Sequence, residues 1–294
     1  MGSFFSQGHC TREQGGRKTV IDFHGKSPLP RLKRAIASGH CGTMALFAES
    51  PDGLRIAYET VGQGIPVLLV HGFASSRAQN WRATGWYKTL SDAGFQVIAM
   101  DCRGHGDSDK PHGPAAYSYE LMSGDILCVA ATVGLPNAHV IGYSMGGHLG
   151  IHVLMQNPEL VRKLVIAGVG ATYFHQNPAI RYGIADALLA PDATNITDPT
   201  QKSFRAFAGQ PGKDIVALAA CMRGERHFYS SEELAESTRP ALVICGEDDD
   251  ISGPPGPLAA ALRDAVAVAV PGRDHMSAVG DKATKAAVIE FLGS

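Results

Sequence analysis

Ser144 stands between Gly142 and Gly146 in AHVIGYSMGGHLGIHVLMQNPE (138–159), where a strand-like run gives way to helical spacing. A serine hydroxyl is a weak nucleophile. It attacks a carbonyl carbon only when a base takes its proton and a carboxylate orients that base. A sharp strand-to-helix turn would thrust the hydroxyl into a cleft, and the flanking glycines leave room where a Cβ would collide with neighbouring chain. The helix opening at Met145 aims backbone N–H groups and a positive dipole end at the same spot, which suits a developing oxyanion. Taken alone, the pattern fits a plain N-cap serine equally well.

An acid and a base follow at later strand ends. LVICGEDDD (242–250) reads as a strand that delivers Asp248, Asp249 and Asp250 at its end, and VAVAVPGRDHMS (266–277) delivers His275. Either alone is an ordinary loop feature; both at successive strand ends point to nucleophilic catalysis.

The elements that position these residues alternate. Strands are expected over 54–62, 65–72, 95–101, 138–143, 163–170, 240–246 and 266–272. Helices are expected over 86–94, 118–134, 145–156, 256–265 and 281–292. Short apolar runs separated by helices imply an α/β fold with a doubly wound, mostly parallel sheet, whose ligand site lies at the carboxyl ends of the strands. Residues 44–170 and 238–294 are read as the core. Residues 171–237, helical and punctuated by Pro178, Pro191, Pro199 and Pro211, are read as a cap inserted over the strand ends.

Residues 1–43 carry seven Lys/Arg (Arg12, Arg17, Lys18, Lys26, Arg31, Lys33, Arg34) against Glu13 and Asp22, and are expected to be a basic, poorly ordered extension. The 294 residues are 45% hydrophobic and 18% charged with a net charge of −2, which argues for a globular chain and against nucleic acid or an anionic membrane as partner. No apolar run reaches the roughly 18 residues of a membrane span. Six cysteines without CxxC or metal spacing are read as reduced thiols of a cytoplasmic protein, and no metal or organic cofactor is expected.

Four motifs, LLVHGF (68–73), DCRGHGDSDKP (101–111), GYSMGG (142–147) and GEDDD followed by PGRDH, stand in an order that resembles the α/β-hydrolase fold superfamily, in particular its capped serine esterases. The resemblance covers the chain from about residue 50 onward. It implies Ser144 as nucleophile, His275 as base and Asp249, three residues beyond Gly246, as acid, with Asp248 and Asp250 as rivals. The other acid site known in the superfamily falls here on AGVGAT (167–172), which has no carboxylate. It further implies an oxyanion hole from the backbone amides of Phe73 and Met145, with His71 and Gly72 shaping the turn, and loop-tying roles for Asp101, Arg103, His105 and Asp107. Trp81, Trp86, Tyr143 and cap side chains (Phe174, Tyr182, Leu188, Leu189, Phe204, Phe207, Met222, Phe228, Tyr229) are the candidates for the substrate wall. A serine rather than an aspartate at the elbow implies acyl chemistry, so the expected reaction is hydrolysis of a small-molecule carboxylic ester through an acyl-enzyme. Cleavage of a C–C bond in a vinylogous diketone, perhydrolysis, and ligand binding without catalysis are the alternatives. Arg77, Arg82 and Arg181 are the arginines placed to clamp a carboxylated diketone, and the plainer expectation for each is a solvated surface position.

Overall fold

The computed structural model describes residues 45–294 and the backbone of two earlier strands, β1 (His9–Gln14) and β2 (Arg17–Asp22). The remainder of the basic extension lies outside the described residues. β1 and β2 pair antiparallel, and β1 meets the next strand where Thr11 stands opposite Glu49.

Eight further strands build the sheet: β3 (Leu46–Glu49), β4 (Arg55–Val61), β5 (Ile65–Val70), β6 (Phe95–Met100), β7 (Ala138–Tyr143), β8 (Val161–Ala167), β9 (Ala241–Gly246) and β10 (Ala265–Val270). Their order is β10-β9-β8-β7-β5-β6-β4-β3-β1-β2. The six strands from β10 to β6 run parallel, and β4 and β3 continue antiparallel beyond them.

The apolar runs are continuous because both faces of the sheet are covered. Val67 and Leu69 of β5 point to one core with Trp86 and Leu90 of α1 (Trp86–Asp92) and Val288 and Leu292 of α9 (Lys282–Gly293). Leu68 and Val70 point to the other, with Met122 and Ile126 of α2 (Tyr119–Val133), Leu149 and Val153 of α3 (Met145–Gln156), and Leu258 of α8 (Gly256–Ala261). Period-two alternation thus survives in space although both faces are apolar in the text.

Between β8 and β9 lie α4 (Pro178–Leu189), α5 (Pro199–Ala208), α6 (Ile215–Arg223) and the short α7 (Ser231–Leu234). Pro178 and Pro199 open helices rather than interrupt them. Each sits in the first turn, where its missing N–H costs nothing, behind an Asn177 or Asp198 whose side chain accepts a backbone N–H. α4, α5 and α6 share a small core of Ile184, Leu188, Ala208, Leu218 and Met222 that closes on Ala74 in the loop after β5. Among the described residues no helix is long and apolar enough to cross a membrane, and Cys102, Cys128, Cys221 and Cys245 are buried thiols.

Candidate active site

The turn from β7 into α3 holds Ser144 at φ 53° and ψ −114°, a conformation that costs a non-glycine residue about 1–3 kcal/mol. Its amide donates to Ala167 O at 2.8 Å, which ties the turn to β8. A Cβ on Gly142 would stand 2.1 Å from Gly146 O, and one on Gly146 would stand 2.1 Å from Val70 O. Both contacts are with backbone, so no side chain can be accommodated at either position.

Loops from β9 and β10 meet this turn. His275 Nε2 is 3.1 Å from Ser144 Oγ, and His275 Nδ1 is 2.9 Å from Asp249 Oδ2. The other carboxylate oxygen of Asp249 accepts the N–H groups of Ile251 (3.1 Å) and Ser252 (2.9 Å). Burial raises the Asp249 carboxyl, but the hydrogen bond and charge of His275 and the two hydrogen bonds from Ser252 outweigh it and hold it below the ordinary value. An ionised carboxylate on Nδ1 keeps the proton there and leaves the Nε2 lone pair facing the serine. Asp249 is 3% exposed, whereas Asp248 and Asp250 are exposed on the wall of the adjoining cavity, so geometry selects one acid from the run.

The loop after β5 supplies the opposite wall. His71 is fully buried, and burial pushes its imidazole down to about 4, so it is neutral. Its Nδ1 donates to Gly72 O at 2.7 Å and its Nε2 accepts from Cys102 N–H at 3.0 Å. Both ring nitrogens are spent on shaping the turn that presents Phe73. Met145 opens α3, where an N–H has no acceptor inside the helix. Phe73 lines the cavity that holds Ser144, and Met145 follows Ser144 as the first residue of α3.

Behind this wall Asp101 accepts the Arg77 amide (2.7 Å) and the Asp107 amide (2.8 Å), and its carboxylate pairs with the Arg77 guanidinium. Arg77, expected at the surface, is 5% exposed. Its Nε stands 3.0 Å from Glu59 as an ion pair, out of line for a hydrogen bond. Arg103 joins Asp125 and Asp52. Arg82 pairs with Glu59, and Arg181 donates to the carbonyls of Met222 and Gly224. These residues hold loops together.

A cavity of about 510 Å³ opens over Ser144 and His275, walled by Phe73, Phe204, Phe207, Ile251, Met276 and Val279 and by the carboxylates of Asp248, Asp250 and Asp274. Among the described residues no Lys or Arg lines it. Tyr143 lines it too, but its hydroxyl donates to the carbonyl of His275 and its ring lies 5.5 Å from the imidazole, so it braces the histidine. Trp81 and Phe174 are corrections: neither reaches the cavity. Trp81 is fully buried against Trp86 because its turn faces the α1 side of the sheet, and Phe174 packs edge-on against Tyr173. Of the expected cap aromatics only Phe204 and Phe207, both on α5, line the space.

Two side chains were not legible beforehand. Ser252 Oγ lies 3.1 Å from His275 Nδ1, beside the Asp249 bond, and Asn80 Oδ1 accepts the Gly72 N–H at 3.2 Å. Spacing gives a weak signal for Ser252, three residues beyond the acid as in an N-cap turn. For Asn80 there is none. Among the described residues no group of three or more His, Cys, Asp or Glu side chains is placed to hold a metal ion.

A buried acid, an imidazole and a strained serine at the carboxyl ends of parallel strands, under helices inserted between two of those strands, define an α/β-hydrolase arrangement. Residues 65–188 match the family described as the alpha/beta hydrolase fold. A 2-hydroxy-6-oxononadienedioate/2-hydroxy-6-oxononatrienedioate hydrolase of Burkholderia vietnamiensis is 36% identical over 228 residues, covering 68% of this chain and 77% of that protein. The chain belongs to the α/β-hydrolase fold family. The AB hydrolase superfamily protein YisY of Bacillus subtilis is 29% identical over 48% of this chain. Epoxide hydrolase 3 of Siraitia grosvenorii is 30% identical over 45% of this chain. The chain spans 51% and 40% of the lengths of these two relatives. Among solved structures, a hydrolase from Pseudomonas aeruginosa superposes with a TM-score of 0.71 at 26% identity, covering 86% of this chain and all of that one.

Proposed function

We propose that this chain is a serine hydrolase that cleaves carboxylic esters of small to medium acyl groups through an acyl-enzyme intermediate. The continuous relay from Asp249 through His275 to the strained Ser144 carries the reading. Ser144 Oγ forms a bond to the ester carbonyl carbon while His275 Nε2 takes its proton, and the carbonyl oxygen becomes an oxyanion held by the Phe73 and Met145 amides. Collapse breaks the carbon–oxygen bond to the alcohol, which leaves with the proton from Nε2. Water then adds to the acyl-enzyme by the same route, and the acid departs. Loss of one oxyanion donor in such a site costs about 10²–10³ in rate.

The character of the cavity supports an uncharged ester. Its walls are aromatic and aliphatic, its charges are carboxylates, and all three arginines weighed as clamps are engaged elsewhere. A second reading, hydrolysis of a C–C bond in a vinylogous diketone, draws on the likeness to the Burkholderia hydrolase, whose name specifies a diacid. A dianion entering this cavity would meet Asp248, Asp250 and Asp274 with no cation opposite them, which disfavours that reading. An elbow serine also distinguishes the site from epoxide opening by an attacking carboxylate. We place the chain in the cytoplasm, on the support of its buried thiols.

The test is a panel of p-nitrophenyl esters from acetate to palmitate. Turnover of the shorter members that vanishes in Ser144→Ala supports the reading. No turnover of any member, with Ser144 unreactive toward a fluorophosphonate, sinks it.

A further inference from the structure

Ser252 is 2% exposed and lies in the turn that follows Asp249. Its amide donates to Asp249 Oδ1 at 2.9 Å, and its Oγ stands 3.1 Å from His275 Nδ1. Its carbonyl accepts the N–H (3.1 Å) and the hydroxyl (2.9 Å) of Thr172 in the loop after β8. The Ser252 backbone is therefore held from two sides, and the hydroxyl is not what fixes the loop.

The direction of the Oγ contact follows from the tautomer. With Asp249 ionised, Nδ1 carries a proton and has no lone pair to offer, so Ser252 Oγ can only accept. The hydroxyl hydrogen then points at the Asp249 carboxylate, which it helps to hold below its ordinary value. One N–H is thus shared between Asp249 Oδ2 at 2.9 Å and Ser252 Oγ at 3.1 Å.

Resting on the ester-hydrolase reading above, we propose that Ser252 is a positioning residue of the relay, a second acceptor for the Nδ1 proton of His275. Two acceptors at one ring nitrogen oppose rotation of the imidazole and so keep Nε2 on Ser144 Oγ, 3.1 Å away. The contact also strengthens during the reaction. Once Nε2 takes the serine's proton the ring is cationic, and its Nδ1–H becomes a charge-assisted donor. An interaction stronger in the transition state than in the ground state raises kcat rather than binding. The hydroxyl's own donation to Asp249 acts the other way by drawing on the carboxylate charge. That effect is the smaller one, because Asp249 keeps the Ile251 and Ser252 amides whether or not the hydroxyl is there.

The test is Ser252→Ala, alone and combined with Asp249→Asn, assayed with p-nitrophenyl butyrate. Alone, it should lower kcat about three- to tenfold with KM within about twofold of wild type. In Asp249→Asn the carboxamide NH₂ faces Nδ1, which then carries no proton to be accepted. Ser252→Ala should cost less than about twofold more in that background, whereas a mere loop prop would cost the same factor in both. A Ser252→Ala kcat within about twofold of wild type overturns the proposal. So does an equal loss in both backgrounds, or a loss confined to KM. The wild type decides should the variant not fold: in proton NMR the Nδ1 proton should show a nuclear Overhauser effect to the Ser252 β-protons, and its absence overturns the proposal. No hydrolysis by the wild type, with Ser144 unlabelled by a fluorophosphonate, overturns the ester-hydrolase reading itself and this proposal with it.

Discussion

Asp249→Asn changes one atom and reverses the proton relay. The Oδ1 atom of Asp249 receives two backbone donors, Ile251 N–H and Ser252 N–H, while Oδ2 faces His275 Nδ1. An asparagine must keep its carbonyl oxygen toward the two backbone donors, because turning its NH₂ there would set donor against donor. Its NH₂ then faces Nδ1, which is forced to accept, and the ring proton moves to Nε2. That nitrogen, 3.1 Å from Ser144 Oγ, becomes a donor and can no longer take the serine's proton. Loss of the correct tautomer in a triad of this type costs about 10⁴ in kcat. The assay is p-nitrophenyl butyrate hydrolysis beside the rate of fluorophosphonate labelling, with circular dichroism to confirm the fold. Asp248→Asn and Asp250→Asn, both at exposed positions, serve as controls and should stay within about threefold of wild type, in line with surface screening. An Asp249→Asn variant within tenfold of wild type, or an Asp248→Asn variant as crippled as expected for Asp249→Asn, would refute the assignment.

Gly168→Ala would place a Cβ 3.1 Å from Tyr143 Cζ and 3.2 Å from His275 Cε1 at φ 64°, so it should lower stability by about 1–2 kcal/mol and kcat by at least about tenfold with KM little changed. Urea titrations and initial rates check this, and an unaltered kcat would contradict it. Stability should fall as pH drops from 6.5 toward 4, because burial holds His71, His139 and His152 at about 4 and His105 and His148 at about 3. The unfolded chain takes up those protons first, at about 1.4 kcal/mol per pH unit for each fully buried ring. Asp101 and Asp125, raised by burial, oppose this but are outnumbered; a flat urea midpoint from pH 7 to pH 5 would refute it. An ester with a carboxylate on its acyl end, p-nitrophenyl hemisuccinate, should be about tenfold poorer in kcat/KM than the butyrate. That gap should narrow in high salt and in an Asp248→Asn/Asp250→Asn double variant, and equal rates would contradict the acidic wall.

Most of the fold could be read because its signals are local. The buried runs at 65–70, 95–100 and 138–143 leave strands no alternative, and α3 spans 145–156 as the spacing requires. The elbow was legible for the same reason: Gly142 and Gly146 are needed by backbone contacts within a few residues of Ser144 or one strand away. What escaped depends on distant chain. β3 is four residues long with Leu46 and Phe47 exposed, so it carries no core periodicity. α5 begins at a proline that reads as a breaker until its Asp198 cap is seen. Trp81 looks like a wall residue by its place after the oxyanion turn, yet the π-helical turn rotates it into the core. Spacing from Gly246 favours Asp249 within the acidic run, and burial is what separates it from its exposed neighbours Asp248 and Asp250. Asn80 belongs to the site through a single hydrogen bond that no pattern announces, and Ser252, bonded to both Asp249 and His275, is announced only weakly by its spacing from the acid.

The relay itself is tested most directly by mass spectrometry after brief exposure to a fluorophosphonate. A single adduct should form and map to the peptide bearing Ser144, be absent from Ser144→Ala, and form far more slowly in His275→Ala. An adduct on any other residue, or labelling of Ser144 that the loss of His275 leaves undiminished, would contradict the account.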